Sequence, residues 1–434
     1  MQFEYRPLGT LLAPKGYIRG PFGSALRRPE LKSAGIPVYE QQQAIDGHRR
    51  FRFFIDPMKF EELKRFQVRT HDLIVSCSGT VGRISVIREE DPKGIISQAL
   101  LVLRPDVDRL LPSFLYYFLT SPEGQLRLLG ASHGAVQQNI APRNVVEQIP
   151  TPTPPIGEQR QIAGWLGLLD ERISLLRQTN ATLEAIAQAL FKSWFIDFDP
   201  VRAKAEGREP EGMDAATAAL FPSEFEESPL GLIPKGWAVR SLDSVAHYLN
   251  GLALQKYPPE SDDEFLPVIK IAQLRAGHTR GADRASARLK PDYIVRDGDV
   301  LFSWSGSLEV EFWGGGEGAL NQHLFKVTSD EVPKCIYYLA TKHFLPWFRE
   351  IAAHKATTMG HIQRGHLSEA KIALPPAQVI GPLASTIAPL LDRRVLGTLQ
   401  ARELAAIRDS LLPRLISGKL RLPEAEAQME DALA

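Results

Sequence analysis

The nine residues Asp72-Leu-Ile-Val-Ser-Cys-Ser-Gly-Thr80 recur later in the chain as Asp299-Val-Leu-Phe-Ser-Trp-Ser-Gly-Ser307. Four further pairs of stretches recur in the same order, at offsets between 221 and 227 residues: Ser97–Leu101 and Asn321–Phe325, Tyr116-Tyr117 and Tyr337-Tyr338, Pro154-Pro155 and Pro375-Pro376, and Leu168–Ile173 and Leu390–Val395. Chance can supply one such match, but not five in one order. The sequence therefore predicts two copies of one structural unit.

The first part of each copy, residues 1–150 and 232–374, is rich in turns and short strand-like runs. Leu73-Ile-Val-Ser76 and Val300-Leu-Phe-Ser303 are runs typical of buried strands. Gly, Pro and Asp residues separate such runs from their neighbours. The pattern predicts a mixed α/β globule in each copy.

The second part of each copy predicts a long helix. In the first copy the spacing of the seam residues alternates between four and three, which is the a/d pattern of a coiled coil, with one polar Asn that commonly fixes register. The second copy is less regular, and Pro389 removes a helix hydrogen bond and is expected to kink the helix or delay its start. Because each helix has an apolar stripe that must be buried away from water, we expect the two helices to pack against each other. The seam residues are Ile162, Leu166, Leu169, Ile173, Leu176, Asn180, Leu183, Leu190, Leu391, Val395, Leu404 and Leu411.

These patterns predict an α+β fold in which two similar mixed α/β domains are each followed by a long helix. The stretch between the copies is acidic and contains several Pro and Gly residues, so we expect a solvated connector. The C-terminal tail is also acidic and is expected to be frayed. The predicted segments are 1–153 (first domain), 154–198 (first long helix), 199–231 (acidic linker), 232–376 (second domain), 377–420 (second long helix) and 421–434 (acidic tail).

Composition narrows the class of protein. The chain has 434 residues with 51 Lys and Arg against 51 Asp and Glu, so its formal net charge is zero. The charges are nevertheless distributed unevenly along the chain, since residues 1–71 carry 13 basic and 7 acidic side chains, a net charge of +6. Two cysteines are too few for a disulfide framework. We read no membrane-spanning run and no secretory signal, and we expect a cytoplasmic protein.

A search for catalytic motifs gives no convincing set. Trp313–Gly318 is Gly-rich but lacks the Lys-Ser/Thr of a phosphate-binding loop. Asp197 and Asp199 lie two residues apart beside aromatic residues, and a structural or docking role suits them better than metal binding. Neither copy supplies a convincing acid/base or metal constellation, so we expect no catalytic residue, no metal and no cofactor in this chain.

The polar side chains instead suggest recognition of a polymer. Two similar globules on a stiff spacer suit a bipartite, pseudo-symmetric ligand such as duplex DNA. Arg pairs with guanine and Gln or Asn with adenine in the major groove, while clustered cations bind phosphate. Any single residue of the set is also compatible with a solvated surface, so the prediction rests on the set. The candidate DNA-binding residues are Arg27, Arg28, Lys32, Gln41, Gln42, Gln43, Arg49, Arg50, Thr80, Arg83, Gln137, Gln138, Asn139, Gln255, Lys256, Lys270, Gln273, Arg275, Ser307, His361, Gln363 and Arg364.

Several motifs resemble those of the specificity subunit of type I restriction–modification systems, and the resemblance covers nearly the whole chain. They are Pro154-Pro-Ile-Gly-Glu-Gln-Arg-Gln-Ile162, Leu169-Asp-Glu-Arg-Ile173, Leu190-Phe-Lys-Ser-Trp-Phe-Ile-Asp-Phe-Asp-Pro-Val-Arg202, Ile233-Pro-Lys-Gly-Trp237, Arg19-Gly-Pro-Phe-Gly-Ser24 and Asp72–Gly82. The second copy has Pro375-Pro-Ala-Gln-Val379 and so lacks the Glu-Gln pair of the first.

The resemblance implies that each globule is a target-recognition domain that reads one half of a split site in double-stranded DNA. It implies that the long helices form an antiparallel coiled coil that sets the gap and docks two methyltransferase (modification) subunits. Those subunits would hold S-adenosylmethionine, and separate motor-nuclease (restriction) subunits would cut. This chain itself would be non-catalytic, with no cofactor and no membrane contact.

Two other functions remain open from the sequence. The first is a DNA methyltransferase or nuclease with fused recognition domains, which tight binding of S-adenosylmethionine by the isolated chain would favour. The second is a protein-binding scaffold. A DNA affinity of the assembled complex that falls steeply with ionic strength would exclude the scaffold, because phosphate contacts release counterions.

Overall fold

The computed structural model describes residues 3–22, 25–130, 139–354 and 360–433. The chain forms two compact units. Unit 1 comprises residues 1–171 and 404–434, and unit 2 comprises residues 172–403. Among the described residues, no helix combines the length and apolar character needed to cross a bilayer.

Unit 1 is built from two small sheets and a two-stranded ribbon. Strands β2, β8, β5 and β6 form an antiparallel sheet in the order β2-β8-β5-β6, and the second sheet has the order β4-β3-β7. The strands are β1 (Tyr5–Pro7), β2 (Leu12–Arg19), β3 (Ile36–Tyr39), β4 (Phe54–Ile55), β5 (Leu73–Ser76), β6 (Ile84–Val86), β7 (Ile95–Ile96), β8 (Leu100–Pro105) and β9 (Pro150–Pro152). The helices are α1 (Gln41–Ile45), α2 (Pro57–Glu62), α3 (Pro112–Thr120), α4 (Pro122–Leu129) and α5 (Arg143–Glu147).

Helix α6 (Ile156–Phe195) follows, and unit 2 repeats the plan of unit 1. Its antiparallel sheet has the order β13-β20-β17-β18, and its second sheet the order β15-β14-β19-β16. The strands are β10 (Phe225–Ser228), β11 (Gly231–Pro234), β12 (Ala238–Ser241), β13 (His247–Asn250), β14 (Leu266–Ile269), β15 (Arg284–Ala285), β16 (Ile294–Val295), β17 (Val300–Ser303), β18 (Val310–Phe312), β19 (Gly318–Leu320), β20 (Leu324–Thr328) and β21 (Lys371–Leu374). The helices are α7 (Asp199–Ala205), α8 (Ala215–Ala219), α9 (Leu242–Val245), α10 (Ile271–Ala276), α11 (Lys334–His343), α12 (Leu345–His354) and α13 (Arg364–Glu369), and two more, α14 (Ala377–Ile416) and α15 (Leu422–Leu433), complete the chain.

The predicted strand runs are buried on both faces, which explains their continuous apolar character. On β5, Leu73 and Val75 belong to one core and Ile74 to the other. On β17, Val300 and Phe302 lie in the large core of unit 2, whereas Leu301 lies in a smaller one. Alternate side chains of a strand point to opposite faces, so each central strand joins two cores.

The long helices pair within each unit, and the pairing is antiparallel. In unit 1, Ile162 and Leu166 of α6 share a core with Leu411 and Leu415 of α14. In unit 2, Phe191 of α6 shares a core with the first turns of α14. The predicted two-domain fold with a packed helix pair is therefore confirmed, and all twelve seam residues are buried or half-buried.

Polar contacts define the register of this pair. In unit 2, the Asn180 amide donates to Thr398 Oγ1 at 3.1 Å, and Glu184 meets Arg394 at 2.7 Å. Glu184 follows Asn180 by four residues on α6, whereas Arg394 precedes Thr398 by four residues on α14. The two helices therefore run in opposite directions. In unit 1, Asp170 contacts Arg408.

Three expectations about helix ends and linkers need correction. Helix α14 is unbroken through Pro389, because the buried Ile387 and Leu391 hold it on both sides of the missing hydrogen bond. The tail is helical rather than frayed, and Ala425 is buried against unit 1. The acidic connector is not simply solvated, since several of its apolar side chains, such as Phe221, belong to the core of unit 2.

Candidate nucleic-acid interface

The repeated nonapeptide forms a serine-closed loop after the central strand of each unit. In unit 1, Ser76 Oγ donates to the carbonyl of Thr80 at 2.6 Å and accepts the Arg83 amide at 2.9 Å. Gly79, at φ +64°, makes the turn between them. This backbone conformation favours glycine, and a side chain would also approach Gln41 at this position.

The second copy closes its loop with the same two serine hydrogen bonds, although the accepted amide lies six residues after the serine instead of seven. Ser303 Oγ donates to the carbonyl of Ser307 at 2.7 Å and accepts the Glu309 amide at 2.7 Å. Gly306 again has φ +64°. The duplication that the sequence indicates therefore extends to the hydrogen bonds of the loop.

An ion pair anchors the strand that leads into each loop. Asp72 meets Arg104 at 2.7 Å in unit 1, and Asp299 meets Lys326 at 2.9 Å in unit 2. Burial raises the pKa of Asp72, and the opposing effect of Arg104 does not cancel this. A buried charge needs such a partner, so the pair fixes the strand and hence the loop.

Two segments of unit 1, helix α1 and the chain at Ala99, converge on its loop. The Gln41 amide on α1 donates to the carbonyls of Ser78 and Thr80, which ties α1 to the loop. The Cys77 amide donates to the carbonyl of Ala99 at 2.8 Å. An open cavity of about 500 Å³ lies beside this cluster, lined by residues 40–43, 48, 50–52, 97 and 99.

Two segments of unit 2, at residue 323 and at residues 360–362, converge on its loop in the same way. The Trp304 amide donates to the carbonyl of His323 at 3.3 Å, and the Ile362 amide donates to that of Trp304 at 3.0 Å. The Gly306 amide donates to the carbonyl of Gly360 at 2.8 Å. Each unit therefore presents one cluster of loops at the corresponding edge of its sheet, on a rigid frame suited to holding polar side chains in place.

The structure brings some predicted residues together and leaves others apart. Gln41, Gln42, Gln43 and Arg50 line the cavity of unit 1, where the loop also carries Thr80. In unit 2, Ser307, His361, Gln363 and Arg364 belong to the converging segments. Gln137 and Gln138 lie outside the described residues. Arg83 is exposed at the end of the unit 1 loop, where its amide donates to Ser76 Oγ. The remaining exposed candidates are elsewhere on the units: Arg27, Arg28, Lys32, Asn139, Gln255, Lys256, Lys270 and Arg275.

Three predicted contacts are used inside the fold. Gln43 is buried, and its amide donates to the carbonyl of Arg50 at 2.6 Å while its oxygen accepts the Glu40 amide. Arg49 donates to the carbonyl of Val86 and pairs with Asp91 at 2.7 Å. Gln273 caps α10 by accepting the Lys270 amide at 3.3 Å. We therefore assign these three side chains to the structure of the domains.

Sequence reasoning missed three residues of the unit 2 cluster. Asn250, Trp304 and His323 are half-buried among its segments. Two of them lie within the repeated stretches, Trp304 at the place of Cys77 and His323 at the place of Ala99. A comparison of the two copies could have identified them, because Trp304 and His323 replace a Cys and an Ala at matched positions.

Known proteins match this chain in sequence and fold. The family model described as "Type I restriction modification DNA specificity domain" matches residues 32–185 and 234–392. The HindI specificity subunit of Haemophilus influenzae is 25% identical over 391 residues, covering 78% of this chain and 84% of the relative. The MjaIX specificity subunit of Methanocaldococcus jannaschii is 26% identical over 328 residues, covering 73% and 71%.

A solved type I restriction–modification S subunit from M. genitalium has the same fold, with a TM-score of 0.54 at 15% identity over 95% of this chain and 96% of that one. The family model matches most of the chain and matches it twice, once in each copy. The family resemblance and the non-catalytic role in DNA sequence specificity that the sequence implied are thereby confirmed. The chain is a member of the type I restriction–modification DNA specificity family.

Proposed function

We propose that the two recognition domains of this DNA-specificity subunit read the two halves of a split target in double-stranded DNA. The observation that carries the proposal is the duplicated serine-closed loop cluster. Each copy sits on a rigid sheet edge, and each is surrounded by a different set of exposed polar side chains. Two domains with the same backbone structure but different polar side chains are suited to binding DNA in the same way while recognising different base sequences.

The proposed partners follow from this role. Two modification subunits, which carry methyltransferase activity and S-adenosylmethionine, would dock on this chain, and motor-nuclease subunits would complete the assembly in the cytoplasm. The family assignment supports association with modification and restriction subunits. Mapping of methylated adenines in DNA modified by the assembled complex tests the proposal, because a split site would appear directly as a pair of short sequences.

Exchange of one domain should change one half of the target. If residues 1–150 are replaced by those of another specificity subunit, methylation mapping is expected to show one new half-site and one unchanged half-site. Exchange of residues 232–376 in the same background serves as the control and should alter the other half. A change in both halves from a single exchange would contradict independent reading.

The helix pair is expected to set the gap between the half-sites. One extra heptad in each of α6 and α14 adds about 10 Å of helix. That length is up to about three base pairs of rise. The mapped gap should therefore lengthen while both half-sites stay the same. A heptad in α6 alone is the matched control, because it breaks the register of Asn180 with Thr398 and should prevent correct pairing. New half-sites at an unchanged gap would exclude a spacing role.

A further inference from the structure

The loop cluster of unit 2 contains a group of rings with fixed polar edges. The Trp304 indole N–H donates to Asn250 Oδ1 at 2.9 Å. The Trp304 ring centre lies 5.8 Å from that of His323 and 6.4 Å from that of His361. Phe325 supports the indole from the sheet at 6.0 Å. The group is half-buried, so its rings are held in place while part of it stays accessible.

Contacts on both ring nitrogens hold His323 in place. Its Nε2 atom lies 3.3 Å from the side-chain nitrogen of Gln322, and its Nδ1 atom lies 3.0 Å from Ser305 Oγ. His323 therefore positions the side-chain amide of Gln322. A side chain that is held in one orientation can present its polar atoms to the edge of one base and not of another.

Unit 1 has the same backbone frame with other side chains. The Gly20 amide donates to the carbonyl of Leu100, as the Gly251 amide donates to that of Leu324, both at 3.0 Å. By this match and the sequence repeats, Arg19, Cys77 and Ala99 stand where Asn250, Trp304 and His323 stand in unit 2. The ring group is thus specific to the second domain and is not needed to build the loop cluster.

A cation lies beside the ring group. The Arg364 guanidinium is 5.6 Å from the centre of the Phe325 ring and donates to the carbonyl of Tyr248 at 3.2 Å. Arg364 is exposed. A positioned Arg suits a phosphate, and a contact of that kind fixes the register of a duplex against neighbouring groups that read bases.

We propose that Trp304, His323, Gln322 and Asn250 form the base-reading group of the second recognition domain. This inference rests on the proposed function and names the residues that determine one half-site. Trp304 and His323 order the group, and the amide oxygen of Gln322 and the amide nitrogen of Asn250, the atoms on the far side of these contacts, meet base edges in the groove. Arg364 binds the adjacent phosphate and adds affinity without sequence preference.

Selection from DNA libraries with a randomised second half-site tests the inference in the assembled complex. His323→Ala and Gln322→Ala should each lose roughly 5- to 100-fold of the preference for the native base at one or two positions, which corresponds to loss of one base contact. The first half-site should be selected as in the wild type. His247→Ala, an exposed histidine at the opposite end of strand β13, is the matched control and should leave both half-sites unchanged.

The variants separate base reading from folding and from the wider proposal. Gln322 is half-buried, and its side-chain contact is with the neighbouring His323, so its variant should melt close to the wild-type temperature. If both variants select the native second half-site as strongly as the wild type, the inference is wrong while the proposed function stands. If the wild-type complex selects no split site, the proposed function itself fails and this inference fails with it.

Discussion

Replacement of Glu184 by Ala is expected to lower the free energy of unfolding by about 3–5 kcal/mol, since two half-buried cations then share a single carboxylate and one of the two charges is uncompensated. Glu184 on α6 contacts Lys342 and meets Arg394 of α14 at 2.7 Å, and it accepts the Tyr338 hydroxyl at 2.6 Å. Its side chain is 12% exposed, and those of Lys342 and Arg394 are 16% and 14% exposed. In the variant, Glu311 still pairs with both cations.

Denaturant titration of the purified chain measures this effect. Glu350→Ala is the control, since Glu350 is an exposed carboxylate on α12 of the same unit and should change stability by less than about 0.5 kcal/mol. A double-mutant cycle of Glu184 with Arg394 should give a coupling energy of about 0.5–3 kcal/mol. Equal stability of Glu184→Ala and Glu350→Ala would show that the cluster does not hold unit 2 together.

The same cluster predicts a pH dependence. Burial raises the pKa of Glu184, but the charges of Lys342 and Arg394 and its hydrogen bonds outweigh this, and the net pKa lies below the usual value. A lowered folded-state pKa gives stability that is present above the ordinary carboxyl pKa and is lost as pH falls through the folded-state value. The stability difference between the wild type and Glu184→Gln should therefore shrink in acid.

A matching contact exists in unit 1. The Tyr117 hydroxyl donates to Asp170 of α6 at 2.8 Å, and Asp170 also contacts Arg408 of α14. Tyr117 and Tyr338 are the second residues of the repeated Tyr-Tyr pairs. In each copy, a tyrosine of the recognition domain thus reaches an ion pair that joins the two long helices. Each repeated tyrosine therefore fixes its domain to the part of the helix pair that lies in the same unit.

The sequence was sufficient for features that depend on local pattern. The repeat of Asp72–Thr80 and the heptad spacing from Ile162 onwards were enough to predict two similar domains and a packed helix pair. The charge clusters were not predictable, because Glu184 and Lys342 are 158 residues apart and acquire partners only in the folded chain. Gln43 and Arg49 were chosen for their residue types, yet their hydrogen bonds lie within the domain. Polar character alone does not separate a base contact from a cap or an internal ion pair.

The acidic connector shows why composition can mislead. Acidic residues outnumber basic residues by eight to three between the two copies, but stability depends on the few aromatic side chains spaced between them. Phe221 is 1% exposed, and its ring lies 5.6 Å from that of Trp194 and 6.4 Å from that of Trp237. Trp194 lies in the last turn of α6, and Trp237 directly precedes β12. The connector therefore packs between the end of α6 and the start of β12, through the ring of Phe221.

Replacement of Phe221 by Ala should accordingly destabilise the chain by about 3–5 kcal/mol, the usual cost of emptying a buried aromatic site. The intrinsic fluorescence of the neighbouring Trp194 and Trp237 gives the unfolding transition. Leu230→Ala is the matched control from the same connector, because Leu230 is 47% exposed and its truncation should cost less than about 0.5 kcal/mol. If the two variants unfolded at the same denaturant concentration, the connector would be a solvated linker after all. A large difference would show that residues 199–231 are part of the folded core.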